Sequence, residues 1–202
     1  MDGRNRIGFL LDECTHRFNL KARGVEDILI ACTDNLKGFT DAIKGVFPKT
    51  ITQLCIVHQI RNSCKYVVWK DRKAFCVDLK EVYGAPSREA AEHALERFDK
   101  TWGPKYKHAV QSWRTNWDQL TSYFDFPVEI RKIIYTTNSI ENVNRGIRKY
   151  TKTKVQFPDD MSAQKAVYLA IMNIEKKWTS ALHNWGLVMH QFVTIFENRC
   201  RI

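Results

Sequence analysis

Long apolar runs are missing from this sequence. The longest near a predicted strand is Ile28–Cys32, far short of the roughly 20 residues that a membrane-spanning helix needs. Residues 1–10 carry Asp2, Arg4 and Arg6 and have no apolar core of secretory length, so no secretory signal is read there. The six cysteines (14, 32, 55, 64, 76 and 200) form no CxxC pair, which argues against a disulfide framework or a zinc ribbon. They are expected to be reduced, mostly buried thiols of a cytoplasmic, nucleoid-associated protein. No internal repeat, Gly/Ser linker, helix-turn-helix signature or zinc-finger spacing is present. Acids are scarce as well. Arg131–Lys154 holds seven basic residues and one acid, Glu141.

What is present is an ordinary globular composition: 202 residues, 44% hydrophobic, 27% charged and 12% aromatic, with 9 Gly and 5 Pro. Disordered and collagen-like chains are thereby excluded. Folding at this length buries roughly 70% of the surface of the unfolded chain. With 32 Lys and Arg against 22 Asp and Glu, the formal charge is +10, an excess that folding does not require and an anionic partner explains. Nucleic acid fits better than a membrane surface, because no continuous bulky apolar face lies beside the cations.

The chain reads as a small α/β piece followed by many helices. Asp27–Thr33 suits a buried parallel strand that ends at Asp34, and Leu36–Phe47 suits a helix stopped by Pro48. Gln53–Val57 is the expected second strand, ending at His58. Together they form a βαβ unit with a right-handed crossover. A helical period then takes over, with one long helix over residues 60–83, broken near Lys70. A second helix opens at Pro86-Ser87, with Ala91, Leu95, Phe98 and Trp102 on one face, and a third covers residues 106–124. Further helices are predicted over 128–134, 139–151, 161–178 and 186–198. A plausible helix over residues 9–20 precedes them all.

In open parallel sheets, ligands bind beyond the carboxyl ends of the strands, where Asp34 and His58 are both expected. Asp34 there is either a hard-cation ligand or merely a helix cap or Asx-turn. Cys55 and His58 have CxxH spacing, half of a zinc site with no second half in view. Placement or packing of His58 near the site is favoured over zinc. At 100° per residue, Ile140, Val143, Ile147 and Tyr150 share one helical face. Glu141, Arg145, Arg148 and Lys152 share another, so one carboxylate heads a cationic stripe. With Asn138 as N-cap, Glu141 also fits the acid of a capping box, and composition does not decide between cap and ligand. If about five cations of the stripe met phosphates, log affinity would fall against log salt with a slope near −4 to −5. Trp69, Trp102, Trp113, Trp117 and Tyr135 either stack on unpaired bases or, for most of them, belong to the core.

Several blocks are also recognisable. Residues 22–39, ARGVEDILIACTDNLKGF, resemble the second catalytic block of mutator-type bacterial insertion-sequence transposases. Residues 53–62, QLCIVHQIRN, are similar to the next block, and residues 134–145, IYTTNSIENVNR, to the third; Trp113–Trp117 and Lys176–Trp178 fit as well. The resemblance runs from about Leu20 to Cys200. It implies a partial ribonuclease-H-like core (residues 1–59), a helical insertion (60–130) and a segment that completes the core with the catalytic helix (131–202). It also implies a DDE enzyme that cleaves element ends and transfers strands, using Mg²⁺ or Mn²⁺. Asp34 would be the second metal-binding Asp and Glu141 the final Glu. Arg145, Arg148, Lys149 and Lys152 would hold DNA, and Cys55 and His58 would be a structural pair near the site. The implied partners are DNA of the element ends and target, with a second copy or a full-length transposase; no membrane is implied.

The family's first catalytic Asp should lie on a strand well upstream of Arg23, yet the preceding residues hold no Asp on an apolar strand; Asp12 falls in a predicted helix. The expectation is an N-terminally truncated transposase, nearly inactive alone as a nuclease. A non-catalytic DNA-binding or regulatory remnant and a basic helical protein without metal chemistry are the other readings. For the first two, the Asp34 and Glu141 carboxylates should lie roughly 4–8 Å apart, within reach of shared ions.

Overall fold

The apolar run that begins at Ile28 becomes a strand, β1 (Ile30–Thr33), paired in parallel with β2 (Ile51–Leu54), with Ile30 opposite Ile51 and Thr33 opposite Leu54. The structure is a computed structural model that describes residues 20–134, 138–154, 156–177, 179 and 184–200; for residues 138–141 it describes the backbone alone. Helix α1 (Phe39–Val46) joins the two strands, entered through Gly38 at φ 82°, a left-handed turn that glycine makes without a Cβ penalty. Beyond β2, the chain runs α2 (Ile56–Cys64), α3 (Trp69–Tyr83), α4 (Arg88–Thr115) and α5 (Trp117–Thr121). A 3₁₀ turn (Ser122–Asp125) leads into α6 (Val128–Ile134), α7 (Asn138–Thr151), α8 (Asp160–Glu175) and α9 (Trp185–Phe196). The predicted helix over residues 9–20 and the region of Asp12 lie outside the described residues, apart from Leu20.

The second strand is shorter than its sequence predicts. It ends at Leu54; Cys55 is the N-cap of α2, and Ile56, Val57 and His58 are the first turn of that helix. His58 therefore comes from a helix start and not from a strand tip. The expected third helix from 106 to 124 is also different. Residues 88–115 run as one helix with a kink, because Pro104 lies inside it and Tyr106 takes non-helical angles (φ −130°, ψ 45°). The opening at Ser87 is as predicted, with Ser87 Oγ accepting from Ala90 N at 3.2 Å.

The main core lies among the helices and against β2. Phe75 is fully buried and meets Phe98 and Trp102 edge-on, with centroids 4.9 and 5.5 Å away. Ala91, Leu95 and Phe98 are buried on the predicted face, and Trp102 packs against them. Two buried polar knots hold the sheet and α2 to these helices. Gln53, fully buried, donates to the carbonyls of Leu54 and Leu120 (2.7 and 2.9 Å) and accepts from Ser122 Oγ and Tyr123 N (2.6 and 2.8 Å). Ser63 of α2 accepts from Trp113 Nε1 of α4 at 2.9 Å, and Gln59 donates to Ser112 Oγ at 2.8 Å. Every polar group of Gln53 is satisfied, so the knot fixes register without the cost of an orphaned buried amide.

The expectation of mostly buried thiols is corrected. Cys55 is buried, whereas Cys32, Cys64, Cys76 and Cys200 are half-buried, and none of the five is in a disulfide. Cys64 and Cys76 are in thiol–thiol contact at 3.2 Å. Among the described residues, no helix is long and apolar enough to cross a membrane.

Candidate nucleic-acid and metal cleft

One cleft of about 1400 Å³ gathers the carboxyl end of β1, the first turns of α2 and the exposed side of α7. Thr33, Asp34 and His58 lie along it, facing Asn142, Arg145, Arg148, Lys149 and Lys152. The parallel pairing of β1 and β2 delivers Asp34 to this end, and the Ser63–Trp113 bond anchors the helix that carries His58.

Asp34 is 65% exposed, and its Oδ1 lies 2.9 Å from His58 Nδ1. The contact has the distance of an ion pair, but its angles are off the hydrogen-bond direction, so buried His58 Nδ1 has no hydrogen-bond partner among the described residues; nor has buried Thr33 Oγ1. A buried polar atom without a partner costs about 1–3 kcal/mol, which a polar ligand or hydrated ion in the cleft would relieve. The helix-cap reading of Asp34 fails. Helix α1 starts at Phe39, its N-cap is Gly38, and no side chain caps it.

On the opposite wall, Arg145, Arg148, Lys149 and Lys152 are exposed and have no carboxylate partner among the described residues, while Val143, Gly146 and Ile147 turn inward. The close approach of α8 explains the glycine. A Cβ at Gly146 would come within 2.6 Å of Ile174 Cδ1. Tyr150 departs from the expected apolar face, being 43% exposed. Glu141 belongs to the first turn of α7, next to Asn142 of the cleft lining. Its side chain, Ile140 and the Asn138 cap lie outside the described residues, as does Tyr135, so the Asp34–Glu141 carboxylate separation does too.

Other sequence candidates separate from the cleft. Cys55 is buried and does not line it. Arg131, counted with the cationic segment, is structural. It donates to the carbonyls of Phe126 (2.6 Å), Pro86 (2.9 Å) and Phe124 (3.0 Å) and lies over the Phe124 ring. Cys32 does line the cleft, but burial, reinforced by neighbouring Cys55, pushes its thiol up to about 11, so it stays protonated at neutral pH and is no thiolate nucleophile. Sequence reasoning missed Thr33 and the orphaned state of His58, which no local pattern encodes.

A carboxylate at a strand end facing a wall of unpaired cations is the arrangement that the family resemblance implies, and comparison with known proteins supports the family. The profile described as Transposase, Mutator family matches residues 16–181. The chain belongs to the Mutator family of transposases. It is 46% identical over 181 residues to a Sinorhizobium fredii protein named "Probable transposase for insertion sequence element ISRM3-like", covering 89% of this chain and 45% of that protein. It is 45% identical to the "Transposase for insertion sequence element ISRM3" of Rhizobium meliloti, with the same coverage. A Corynebacterium diphtheriae protein named "Probable transposase for insertion sequence element" is 42% identical over 160 residues, or 79% of this chain and 47% of that protein. The chain thus spans about half the length of the Mutator-family relatives it matches.

Proposed function

We propose that this chain carries the metal- and DNA-holding part of an insertion-sequence transposase: cleavage at element ends and strand transfer by phosphoryl transfer. The observation that supports it is the shared cleft, where Asp34 at the end of β1 faces the exposed cations of α7, whose first turn contains Glu141. In this reading β1, α1 and β2 are part of a ribonuclease-H-like core. Residues 60–130 are its helical insertion, and α7 is the catalytic helix.

The residues suit a hard divalent cation in kind. Asp34 offers an exposed carboxylate, the chemistry that Mg²⁺ or Mn²⁺ takes, with one oxygen 2.9 Å from His58 Nδ1 and the buried Thr33 hydroxyl nearby on the cleft lining. Among the described residues, no group of three or more His, Cys, Asp or Glu could hold a metal ion. In this proposal Glu141 supplies a second carboxylate to the shared ions. Such ions, when bound, stabilise the attacking and leaving oxygens of an in-line displacement.

The chain's own residues do the rest by position and charge. Arg145, Arg148, Lys149 and Lys152 grip successive phosphates and hold the scissile one over Asp34. His58, packed against Asp34, keeps that carboxylate directed into the cleft. Cys55 supports the turn that places His58, through its backbone N–H donating to Thr33 O at 2.8 Å.

The test is Mn²⁺ binding to the chain, followed by the electron paramagnetic resonance signal of the free ion, with DNA retention measured in parallel. Asp34→Asn and Glu141→Gln should each weaken Mn²⁺ binding by roughly 10-fold or more and leave retention in place. Mn²⁺ binding that persists undiminished in either variant refutes the assignment of that residue.

A further inference from the structure

Of the tryptophans placed in question by the sequence, Trp113 is 1% exposed, and Trp102 and Trp117 pack on the core. Trp69 is the exception, at 84% exposed. It opens α3, just after the break that follows α2, and Tyr66 and Val68 beside it are 55% and 49% exposed. An isolated exposed apolar residue needs no explanation, but three within four positions do.

The surroundings of this patch are cationic. Residues 65–73 contain Lys65, Lys70, Arg72 and Lys73 against a single acid, Asp71, which is taken up by Lys105 and Tyr106. The Arg72 guanidinium lies 5.9 Å from the Trp69 ring centroid, and its Nε donates to Val67 O at 2.9 Å, so one face of the indole has a fixed cationic neighbour. The Asp71 contacts tie this first turn to α4 and so fix the backbone that carries the ring. The patch is also continuous with the cleft. Asn62 lines the cleft, and Lys65 Nζ donates to its Oδ1 at 2.8 Å. Tyr66 and Trp69 follow four and seven residues after Asn62, across the break between α2 and α3.

We infer that Trp69 is a base-stacking site for unpaired DNA leaving the cleft, with Lys65, Lys70 and Arg72 meeting the adjacent phosphates. An aromatic face among cations is the combination that binds single strands without reading sequence. An apolar protein partner would find this patch ringed by one sign of charge. The inference rests on the cleft being the DNA site, and the test below separates the two.

Fluorescence anisotropy with the full chain compares a labelled duplex with the same duplex bearing about six unpaired thymines at one end. The native chain should prefer the tailed DNA by roughly 5-fold or more, the least that a stacked base contributes. Trp69→Ala should weaken binding of the tailed DNA by roughly 5- to 150-fold, leaving only the part of the preference that Lys65, Lys70 and Arg72 supply, and Trp69→Phe should keep most of the native affinity. Tailed-DNA affinity that Trp69→Ala leaves intact, or no preference in the native chain, overturns the inference. Arg145→Gln with Arg148→Gln should weaken both DNAs; if it weakens neither, the cleft reading fails independently. Bromouracil placed in the tail and irradiated on the native chain should cross-link to the peptide containing Trp69, and cross-linking confined to another surface would also overturn it.

Discussion

Replacing Arg145 and Arg148 together by Gln should flatten the salt dependence of DNA binding by a calculable amount. The four cations of α7 that line the cleft are exposed and have no carboxylate partner among the described residues, so each is able to replace a condensed counterion. Four phosphate contacts give a slope of log affinity against log salt of about −3.6, so doubling the salt weakens binding about 12-fold. With two contacts removed, the slope falls to about −1.8 and the same doubling costs only about 3.5-fold. This is shallower than the −4 to −5 expected from about five contacts by sequence, because four cations of α7 line the cleft, and Arg131, bonded to three backbone carbonyls, adds none. Anisotropy titrations of duplex DNA at several salt concentrations measure both slopes. Equal slopes for the native and doubly substituted chains would refute the claim that this wall meets the DNA backbone.

Three other outcomes follow from the packing. Gln53→Leu removes the amide that serves Leu54, Leu120, Ser122 and Tyr123, and it should lower urea stability by about 1–3 kcal/mol per group left unsatisfied. An unchanged midpoint would show that the knot is not structural. Gly146→Leu, too large for rotation of the Ile174 side chain to relieve, should part α7 from α8 at a cost of about 1–3 kcal/mol and weaken DNA binding by shifting the cationic wall. Stability and affinity that both stay at native levels would contradict that packing. Asp27, whose carboxyl is held below its ordinary 3.8 mainly by the hydrogen bond from Arg199, takes up its proton later in the folded chain than in the unfolded one. Its contribution is therefore complete above about pH 4 and is lost as pH falls through the depressed value. Thermal melts of Asp27→Asn should lie below native at neutral pH and converge with it in acid, and a gap that persists in acid would refute the linkage.

The α/β unit and much of the site were legible because local pattern and global position agree there. Ile28–Cys32 is apolar, Asp34 follows at the carboxyl end, and the charged and apolar residues of α7 fall on separate faces with a helical period. The end of β2 was not legible. Cys55-Ile56-Val57 continues the apolar run of Gln53-Leu54, and a short apolar run reads alike whether it finishes a strand or starts a buried helical turn. The expected helix start at residue 106 is instead a kink in one helix, with Tyr106 and Ala109 buried where the chain continues. Arg131 was counted in the charge of the segment 131–154, since charge alone does not reveal which cations are spent on carbonyls. Trp69 could not be distinguished from Trp113 by spacing; only the tertiary packing decides which one is left in solvent.

The central claim is that two acidic residues far apart in sequence, Asp34 and Glu141, serve one divalent-cation site. Fe²⁺ substituted into that site and treated with peroxide and ascorbate generates short-lived radicals that cut the backbone near the metal. Mapping of the fragments by mass spectrometry should show cuts around residue 34 and around residue 141 together, both suppressed by excess Mg²⁺ and by Asp34→Asn. Cuts at only one of the two segments, or cuts that Mg²⁺ does not compete away, would contradict it.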